Sequence, residues 1–380
     1  MPNPLNQVIP ILNLLGKEIR ILPAIGGAVE DLQHPDQDEI DDKIINKDSD
    51  LVNSFAEIPT PNPQNMYRAT PPSPGPQKYL FRYFIDGSIY TYFLGTGIEG
   101  ERSFPIELAQ VGGAVIARED DGSLKVFQHN QKILLLLPKQ NQGISDTLWN
   151  QIEKMPKPDF LDVVDFTLPD LLSDSKKDPR DKAAGKAKSI MHKLEIELIK
   201  STDKYRNENN WLILDGAVKF IEEDIWNSWK LTPYIIGVAK NFRKDPIFQL
   251  GAKSTKRKDL TGILAGLQHG YRTVAFSSNN GEVAFFYVRL REQKELDYPL
   301  MGVIKVEVPL PNKTPISSEL ADLIASSLVA ERNVTPYGLD RRWHCTLYPI
   351  HIAEQVIKNR FYSKEVLMGC FKWPKLNKEE

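Results

Sequence analysis

The sequence predicts an α/β protein in which a mixed β-sheet is flanked by helices. Strand-like runs joined as hairpins come first in the core, and strands then alternate with helices toward the carboxyl terminus. This order is typical of a mixed sheet with helices packed on it. The 380 residues suffice for one large domain or two ordinary ones, and 41% of them are hydrophobic, so most of the chain can build a core.

The overall charge favours no particular partner. The formal net charge is −2, from 48 basic and 50 acidic residues, and a groove for nucleic acid needs only local positive charge. The two cysteines, Cys345 and Cys370, lack the spacing of a metal site. They argue against a disulfide framework and favour a reducing cytoplasm.

The amino-terminal stretch predicts an amphipathic helix, because Ile9, Leu12, Leu15 and Ile19 recur at helical spacing. The helix either packs on its own domain or forms a subunit contact. Polar residues interrupt the stretch and no basic residue precedes Lys17. We therefore expect neither a signal peptide nor a membrane span.

An acidic stretch and a Pro-rich segment separate this helix from the folded core. Residues 30–50 are acidic, and residues 57–77 carry so many prolines that we predict an extended linker without regular structure. The chain then divides into an amino-terminal region, residues 1–77, and a core domain, residues 78–380.

The core begins with strands and a hairpin. "YLFRYFIDGS", "IYTYFLGTG" and "LAQVGGAVIARED" are predicted strands, and Asp121-Gly122 is predicted to turn the chain into "SLKVFQH". A helix, "AKSIMHKLEIELIKSTDKY", precedes the strand "WLILDGAV". Further strands and helices are predicted at "PYIIGVAKN", "YRTVAF", "EVAFFYVRL", "LMGVIKVEVPL", "SSELADLIASSLVAERN" and "HIAEQVIKNRF".

Two Asp-Gly pairs, at Asp86 and Asp215, each follow an apolar run and are interpreted as strand ends. Each pair by itself is more typical of a turn or cap. A buried Asp is costly unless it is paired, and a divalent cation would remove that cost. If the two strands are neighbours, both carboxylates converge. Two bound metal ions could then activate water and stabilise the leaving oxygen in phosphodiester cleavage.

Three further residues are candidates for the same site. Glu195 and Glu197 lie on the helix before the second Asp-Gly strand, and helical periodicity does not choose between them. His351 is predicted at the start of a helix, where it could bind a metal or shuttle a proton. The alternatives are a solvated Glu and a helix-start His whose ring nitrogen is satisfied.

The order of these segments resembles the NurA nuclease family. "FIDGS" resembles its opening strand, "LAQVGGAVIA" the hairpin after it, and "MHKLEIELIKS…WLILDGAV" its helix Glu and second Asp-Gly strand. "YIIGVAKNF", "FFYVRL…YPLMGVIKVEVP" and "YPIHIAEQVIK" are similar to its later motifs. The resemblance runs from about Leu80 to Phe361 and departs from the family at Ala217, where Ser is common.

The resemblance implies an RNase H-like fold and a nuclease supported by manganese or magnesium, with two ions. It implies a 5′-to-3′ exonuclease with single-strand endonuclease activity on DNA. The expected assembly is a homodimer that works with a hexameric ATPase of the HerA type, in DNA end processing or antiphage defence.

The resemblance also assigns roles to individual residues. Asp86, Asp215 and His351 match its metal-binding and catalytic positions. Glu195 matches the helix acid better than Glu197, since it follows an apolar residue. Two more residues complete the expected site: Lys240 as a phosphate contact and Tyr348 close to the metals.

Basic residues after "YIIGVAKNF" are candidate DNA contacts, with Phe242 and Phe248 as stacking partners for unpaired bases. The candidates are Lys240, Arg243, Lys244, Lys253, Lys256, Arg257 and Lys258, with Arg272 a little beyond. A solvated charge run is the alternative.

Two other functions share these residues. One is a non-catalytic clamp that docks on the translocase and holds DNA, and the other is an RNA nuclease of the same fold. Retention of all four candidate ligands argues against the clamp.

Overall fold

The computed structural model describes a large part of the chain. The described residues are 6, 8–24, 51–52, 54–72, 79–139, 143–167, 178–218, 234–242, 247–248, 258–278, 281–294, 297–334 and 343–370.

Seven α-helices lie within these ranges. They are α1 (Ile9–Glu18), α2 (Asp146–Lys154), α3 (Pro179–Ser201), α4 (Leu260–Ala265), α5 (Ser318–Ala330), α6 (Tyr348–Lys358) and α7 (Lys364–Cys370).

The strands of the same ranges are, in chain order, β1 (Arg20–Pro23), β2 (Leu51–Val52), β3 (Glu57–Ile58), β4 (Tyr67–Ala69), β5 (Phe81–Glu99), β6 (Arg102–Arg118), β7 (Leu124–Leu137), β8 (Leu161–Asp165), β9 (Trp211–Asp215), β10 (Ile235–Ala239), β11 (Ile247–Phe248), β12 (Lys258–Asp259), β13 (Tyr271–Thr273), β14 (Phe276–Ser278), β15 (Val283–Arg289), β16 (Val303–Pro309) and β17 (Ile316–Ser317).

A large mixed sheet organises the molecule, as predicted. Its strand order is β4-β13-β15-β16-β10-β9-β5-β6-β7-β8, with β1 paired to β5 and β14 to β15. Strands β5, β6 and β7 form an antiparallel meander. Strand β9 runs parallel to β5, and β10 runs parallel to β9. The protein is therefore an α/β protein with helices on a mixed sheet.

Strand β5 differs from its prediction. The two predicted strands form one strand of 19 residues, and Gly87 pairs with Gly113 in its interior. The interpretation of Asp86 as a strand-end residue is wrong, because Asp86 and Gly87 continue the ladder with β6. The corresponding prediction for Asp215 is confirmed, since β9 ends there and Gly216 has a φ of 112°.

The predicted hairpin is confirmed. Strands β6 and β7 pair from Arg118 and Leu124 onward, and Gly122 in the turn between them has a φ of 82°, which favours glycine.

The two faces of the sheet carry different helices. On one face, Phe84 of β5, Ile213 of β9 and Val238 of β10 share a core with Ala353 and Ile357 of α6. On the other face, the alternate residues Ile85 and Leu214 pack with Leu198 of α3. Because strand residues alternate between faces, this sets the direction of every site residue on these strands.

Helix α1 forms as predicted and packs on its own chain. Ile11, Leu12 and Leu15 are at most 1% exposed, and they share a core with Leu135 of β7 and Trp149 of α2. Of the two interpretations of the helix, packing on its own domain accounts for its apolar face.

The Pro-rich segment contains regular structure that its composition did not predict. Strand β3 pairs with β17, and β4 pairs with β13 at the edge of the large sheet. The prolines flank these strands and do not interrupt their ladders, so the segment can pair where it is short and extended.

The helices in the described ranges include none that is long and apolar enough to cross a membrane.

Candidate active site

Asp86 and Asp215 lie on neighbouring strands and point to the same face. Strands β5 and β9 are parallel, with Ile85 paired to Leu214, so the two Asp residues follow at adjacent positions. Asp86 lies two residues after Phe84, and Asp215 two residues after Ile213. Phe84 and Ile213 belong to the α6-side core, so both Asp side chains project toward α6. The register of β5 and β9 therefore brings the two carboxylates to one face, as predicted for the case that the two strands are neighbours.

Asp86 is held in an environment that disfavours its charge. It is 8% exposed, and burial raises its pKa well above the usual range. The negative charge of Asp215 raises this pKa further, while Lys240 opposes the shift. The described residues supply no hydrogen bond to the Asp86 carboxylate. The site thus has an excess of negative charge around a buried carboxylate.

Lys240 supplies part of the missing positive charge. Its Nζ lies 2.8 Å from Asp215 Oδ2, and both side chains are mostly buried. Burial by itself lowers the pKa of Lys240, but the charges of Asp215 and Asp86 outweigh burial and raise this pKa above its usual value. Lys240 therefore remains a cation at the carboxylates themselves, a closer position than the phosphate contact expected from the sequence.

The two candidate helix acids have different surroundings. Glu195 of α3 is buried, and its Oε1 lies 2.5 Å from the position that a Cβ on Gly87 would take. Glu197 is exposed, and Asn130 donates to it at 3.4 Å. The structure brings Glu195, and not Glu197, against β5 beside Asp86.

Glu195 approaches from the face opposite α6. Helix α3 packs on the side of Ile85 and Leu198, and Glu195 reaches the strand where Gly87 has no side chain. Its charge still contributes to the raised pKa of Asp86. One turn earlier, His192 Nδ1 lies 2.7 Å from Glu195 Oε2 and holds the carboxylate in place.

Helix α6 presents the carboxy-terminal candidates. It begins at Tyr348 with Pro349 in its first turn, which confirms the predicted position of His351 at a helix start. His351 Nδ1 lies 3.9 Å from Glu354 Oε2. The ring of Tyr348 packs under the guanidinium of Arg332, 4.3 Å away.

Glu354 is a site residue that sequence reasoning missed. Its negative charge raises the pKa of both Asp86 and Lys240, and it accepts a hydrogen bond from Lys358 Nζ at 2.5 Å. The sequence "HIAE" contained a signal for this residue. Glu354 follows His351 by three positions, and residues three apart share one side of a helix. Without the sheet, nothing distinguished Glu354 from a solvated helix Glu.

The residues present fit a hard divalent cation by their chemistry. Asp86, Asp215 and Glu354 offer carboxylate oxygens on the α6 face of the sheet, while Glu195 lies against the opposite face at Gly87. Hard divalent cations prefer carboxylate ligands. Across the described portion of the chain, no three His, Cys, Asp or Glu side chains form a ready-made metal site. Lys240 Nζ lies at Asp215 Oδ2, so a cation bound to that oxygen would take its place.

The predicted DNA-contact residues are only partly described. Lys258 is exposed at the start of β12. Five others lie outside the described residues: Arg243, Lys244, Lys253, Lys256 and Arg257.

Two residues of that proposed DNA track, Phe248 and Arg272, belong to the protein interior, and a third, Phe242, is half-buried. Phe248 is 1% exposed and packs on Phe276, so the prediction that it stacks on bases is wrong. Phe242 is half-buried against Tyr287. Arg272 is fully buried and forms two hydrogen bonds to Glu57. Contacts within the protein therefore occupy these side chains.

Comparisons with known proteins add no assignment: no protein-family model matches the chain, and no curated protein matches it.

Proposed function

We propose that this protein is a divalent-metal-dependent nuclease of the NurA type that hydrolyses DNA. The observation that carries the proposal is the convergence of Asp86 and Asp215 on adjacent parallel strands, with Glu195 against Gly87. Structural carboxylates are normally paired or solvated, whereas Asp86 is buried and short of compensating charge.

The strand order supports an RNase H-like core. Three antiparallel strands, β5 to β7, are followed by α2 and the edge strand β8, then by α3 and by two strands that continue the sheet from β5, namely β9 and β10. With the edge strand β8 left aside, the carboxylates of Asp86 and Asp215 lie on the first and fourth strands of this unit. A long crossover containing α3 is what the parallel pairing of β5 and β9 requires.

The proposed mechanism assigns a task to each side chain. Asp86, Asp215 and His351 would hold two manganese or magnesium ions on the α6 face, with Glu354 as an added ligand. Glu195, which approaches β5 from the opposite face at Gly87, would join them as a ligand only by reaching past this glycine. Ions held there supply activation of water and stabilisation of the leaving oxygen. Lys240 pairs with Asp215, and its ammonium group would suit a substrate phosphate at this place. Tyr348 stands at the start of the same helix as His351.

The proposal extends to the biological setting. The nuclease acts as a cytoplasmic homodimer with a HerA-type hexameric ATPase, in DNA end processing or antiphage defence. It degrades DNA as a 5′-to-3′ exonuclease with endonuclease activity on single strands. This part rests on the sequence resemblance alone.

The test is cleavage of end-labelled single- and double-stranded DNA by the purified protein, with manganese, magnesium or chelator, with and without the ATPase. We expect metal-dependent degradation that falls about 100-fold or more in Asp86→Asn, the scale of losing one preorganised electrostatic group. Glu197→Gln is the matched control, because that carboxylate is exposed and on the same helix as Glu195.

Other outcomes lead to different conclusions. DNA that is bound but never cut would make the protein a clamp for the translocase. Equal or faster cleavage of RNA of the same sequence would make it an RNA nuclease.

A further inference from the structure

A pocket lies further along β5, on the face of the sheet that carries Asp86. It has a volume of about 460 Å³, and its walls include Tyr90, Tyr92, Phe361, Tyr362, Lys358 and Lys364. Aromatic rings combined with lysines are the surroundings that unpaired nucleotides use in single-strand binding proteins.

The pocket continues the site along β5. Strand β5 pairs with β6 without a break from Tyr83 to Phe93, so Tyr90 projects to the same face as Asp86, four residues further on. At about 3.3 Å per residue, this places Tyr90 roughly 13 Å along the strand from Asp86. Lys358 links the pocket to the carboxylate site, because it lines the pocket and also donates a hydrogen bond to Glu354.

Tyr90 is the ring that a base could reach. It is 41% exposed, which makes it one of the large hydrophobic side chains left open to solvent. Its ring contacts that of Phe361, at 5.6 Å between centroids and an interplanar angle of 65°. A partly exposed ring that is steadied by one neighbour is suited to stacking, since little mobility remains to be lost on binding.

The wall opposite Tyr90 is held in place before any ligand arrives. Gln110, which is 2% exposed, accepts a hydrogen bond from Tyr362 N at 2.8 Å and donates to Tyr362 O at 2.9 Å. Its amide also donates to the hydroxyl of Tyr92 at 3.2 Å. One buried amide thus fixes the segment between α6 and α7 against the sheet, and the pocket is preformed.

The charge of the pocket matches a nucleotide. Lys358 lines the pocket and donates a hydrogen bond to Glu354. Lys364 lies on the same wall. Their ammonium groups suit the phosphates that flank a stacked base.

We infer that this pocket is a base-stacking subsite, in which Tyr90 receives an unpaired nucleobase of the strand whose phosphate lies at Asp86 and Asp215. The inference rests on the proposed nuclease function for the identity of that strand. The subsite is sequence-tolerant, because every base has a face that can stack. It also requires that the strand be single at this point, since a paired base cannot enter.

The experiment measures binding without cleavage. The full-length protein is titrated in chelator against fluorescein-labelled oligothymidylate and against an oligonucleotide of equal length with abasic positions. Tyr90→Ala should weaken oligothymidylate binding by about 5- to 150-fold, the range for one stacked base. Tyr90→Trp should retain it, because indole preserves the stacking face.

Tyr205→Ala is the matched control. Tyr205 is 42% exposed and makes the same kind of edge contact, with Phe127 at 5.4 Å, but it lies outside the pocket. Its substitution should leave binding within twofold of the unchanged protein. Melting temperatures of all three variants report whether the fold is intact.

The results separate this inference from the proposed function. Binding that depends on Tyr90 only when bases are present supports the subsite, even if no condition gives cleavage. An equal loss on abasic and base-containing strands, an equal loss in Tyr205→Ala, or no loss in Tyr90→Ala overturns the subsite. If the subsite is overturned but cleavage still depends on Asp86, the proposed nuclease function stands.

Discussion

Glu195 fills the space that a side chain at position 87 would occupy. Its Oε1 lies 2.5 Å from the Cβ position of Gly87, and Met191 Sδ of the same helix lies at 3.1 Å. The next strand repeats the arrangement, because a Cβ on Gly113 would meet Leu198 Cδ1 at 2.9 Å. The glycine after Asp86 therefore serves the close approach of α3 to the sheet and makes no turn.

Gly87→Ala is expected to displace Glu195 and reduce catalysis. The added methyl group forces the Glu195 carboxylate to move. Because this carboxylate is the end of a flexible side chain, the loss of stability should lie at the low end of the about 1–3 kcal/mol that overpacking costs. Misplacing a positioned group by about 1 Å can lower activity about 100-fold. Nuclease assays and denaturant unfolding measure the two effects.

Gly369→Ala is the control for the glycine substitution. A Cβ there meets nothing within 4 Å, so both activity and stability should be unchanged or slightly improved. Full activity in Gly87→Ala would show that the position of Glu195 beside β5 is not needed.

Glu354→Gln is expected to weaken metal activation. The substitution keeps the shape of the side chain but removes a negative charge that acts on Asp86 and Lys240. Loss of a ligand or its supporting partner typically costs 10- to 100-fold in metal affinity. The manganese concentration for half-maximal cleavage should rise by about that factor, while Glu197→Gln should leave it unchanged. The same half-maximal concentration in both variants would remove Glu354 from the site.

Glu107 is expected to make stability depend on pH. Burial raises its pKa from 4.5 to about 7, against the opposing charge of Arg180, whose Nε lies 2.9 Å from Glu107 Oε1. The folded state thus binds the proton more tightly than the unfolded state. The stabilisation that protonated Glu107 gives the folded state is complete below about pH 4.5, and it is lost as the pH rises through 7. At about 1.36 kcal/mol per pH unit, the change is about 3 kcal/mol.

The measurement for Glu107 compares the wild-type protein with Glu107→Gln. The amide can still accept a hydrogen bond from Arg180 but cannot titrate. As the pH rises from 5 to 8, the unfolding free energy of the wild-type protein should fall relative to that of the variant. A difference that is constant with pH would contradict the assignment.

Leu15→Ala is expected to destabilise the whole fold. Leu15 is fully buried in the core that α1 shares with β7 and α2, and a buried Leu→Ala change costs about 2–5 kcal/mol. Asn13→Ala, on the exposed side of the same helix, should change stability by less than about 0.5 kcal/mol. Equal unfolding midpoints for the two variants would show that α1 contributes nothing to this core.

The pattern of apolar residues predicted most elements of the core, because local periodicity is set by the backbone itself. The spacing of Ile9, Leu12 and Leu15 predicted α1, and Asp121-Gly122 predicted the β6–β7 turn. The same local information misled at Asp86, where a turn signal lies inside an unbroken strand. Composition likewise failed to predict β3 and β4, because the proline content of a segment does not show whether the prolines lie beside a strand or within it.

Which side chains meet was decided by the tertiary structure. The sequence alone determined that Asp86 and Asp215 follow apolar runs, that a helix with two Glu residues precedes the second, and that His351 starts a helix. Only the parallel register of β5 and β9 brought the two Asp residues together, and only the packing of α3 on Gly87 separated buried Glu195 from exposed Glu197. Glu354 beside Asp86, the burial of Phe248 and Arg272, and the open ring of Tyr90 all depend on contacts between residues far apart in the chain. Such contacts leave no periodic trace in the sequence, because they depend on strand order and helix placement and not on local backbone geometry.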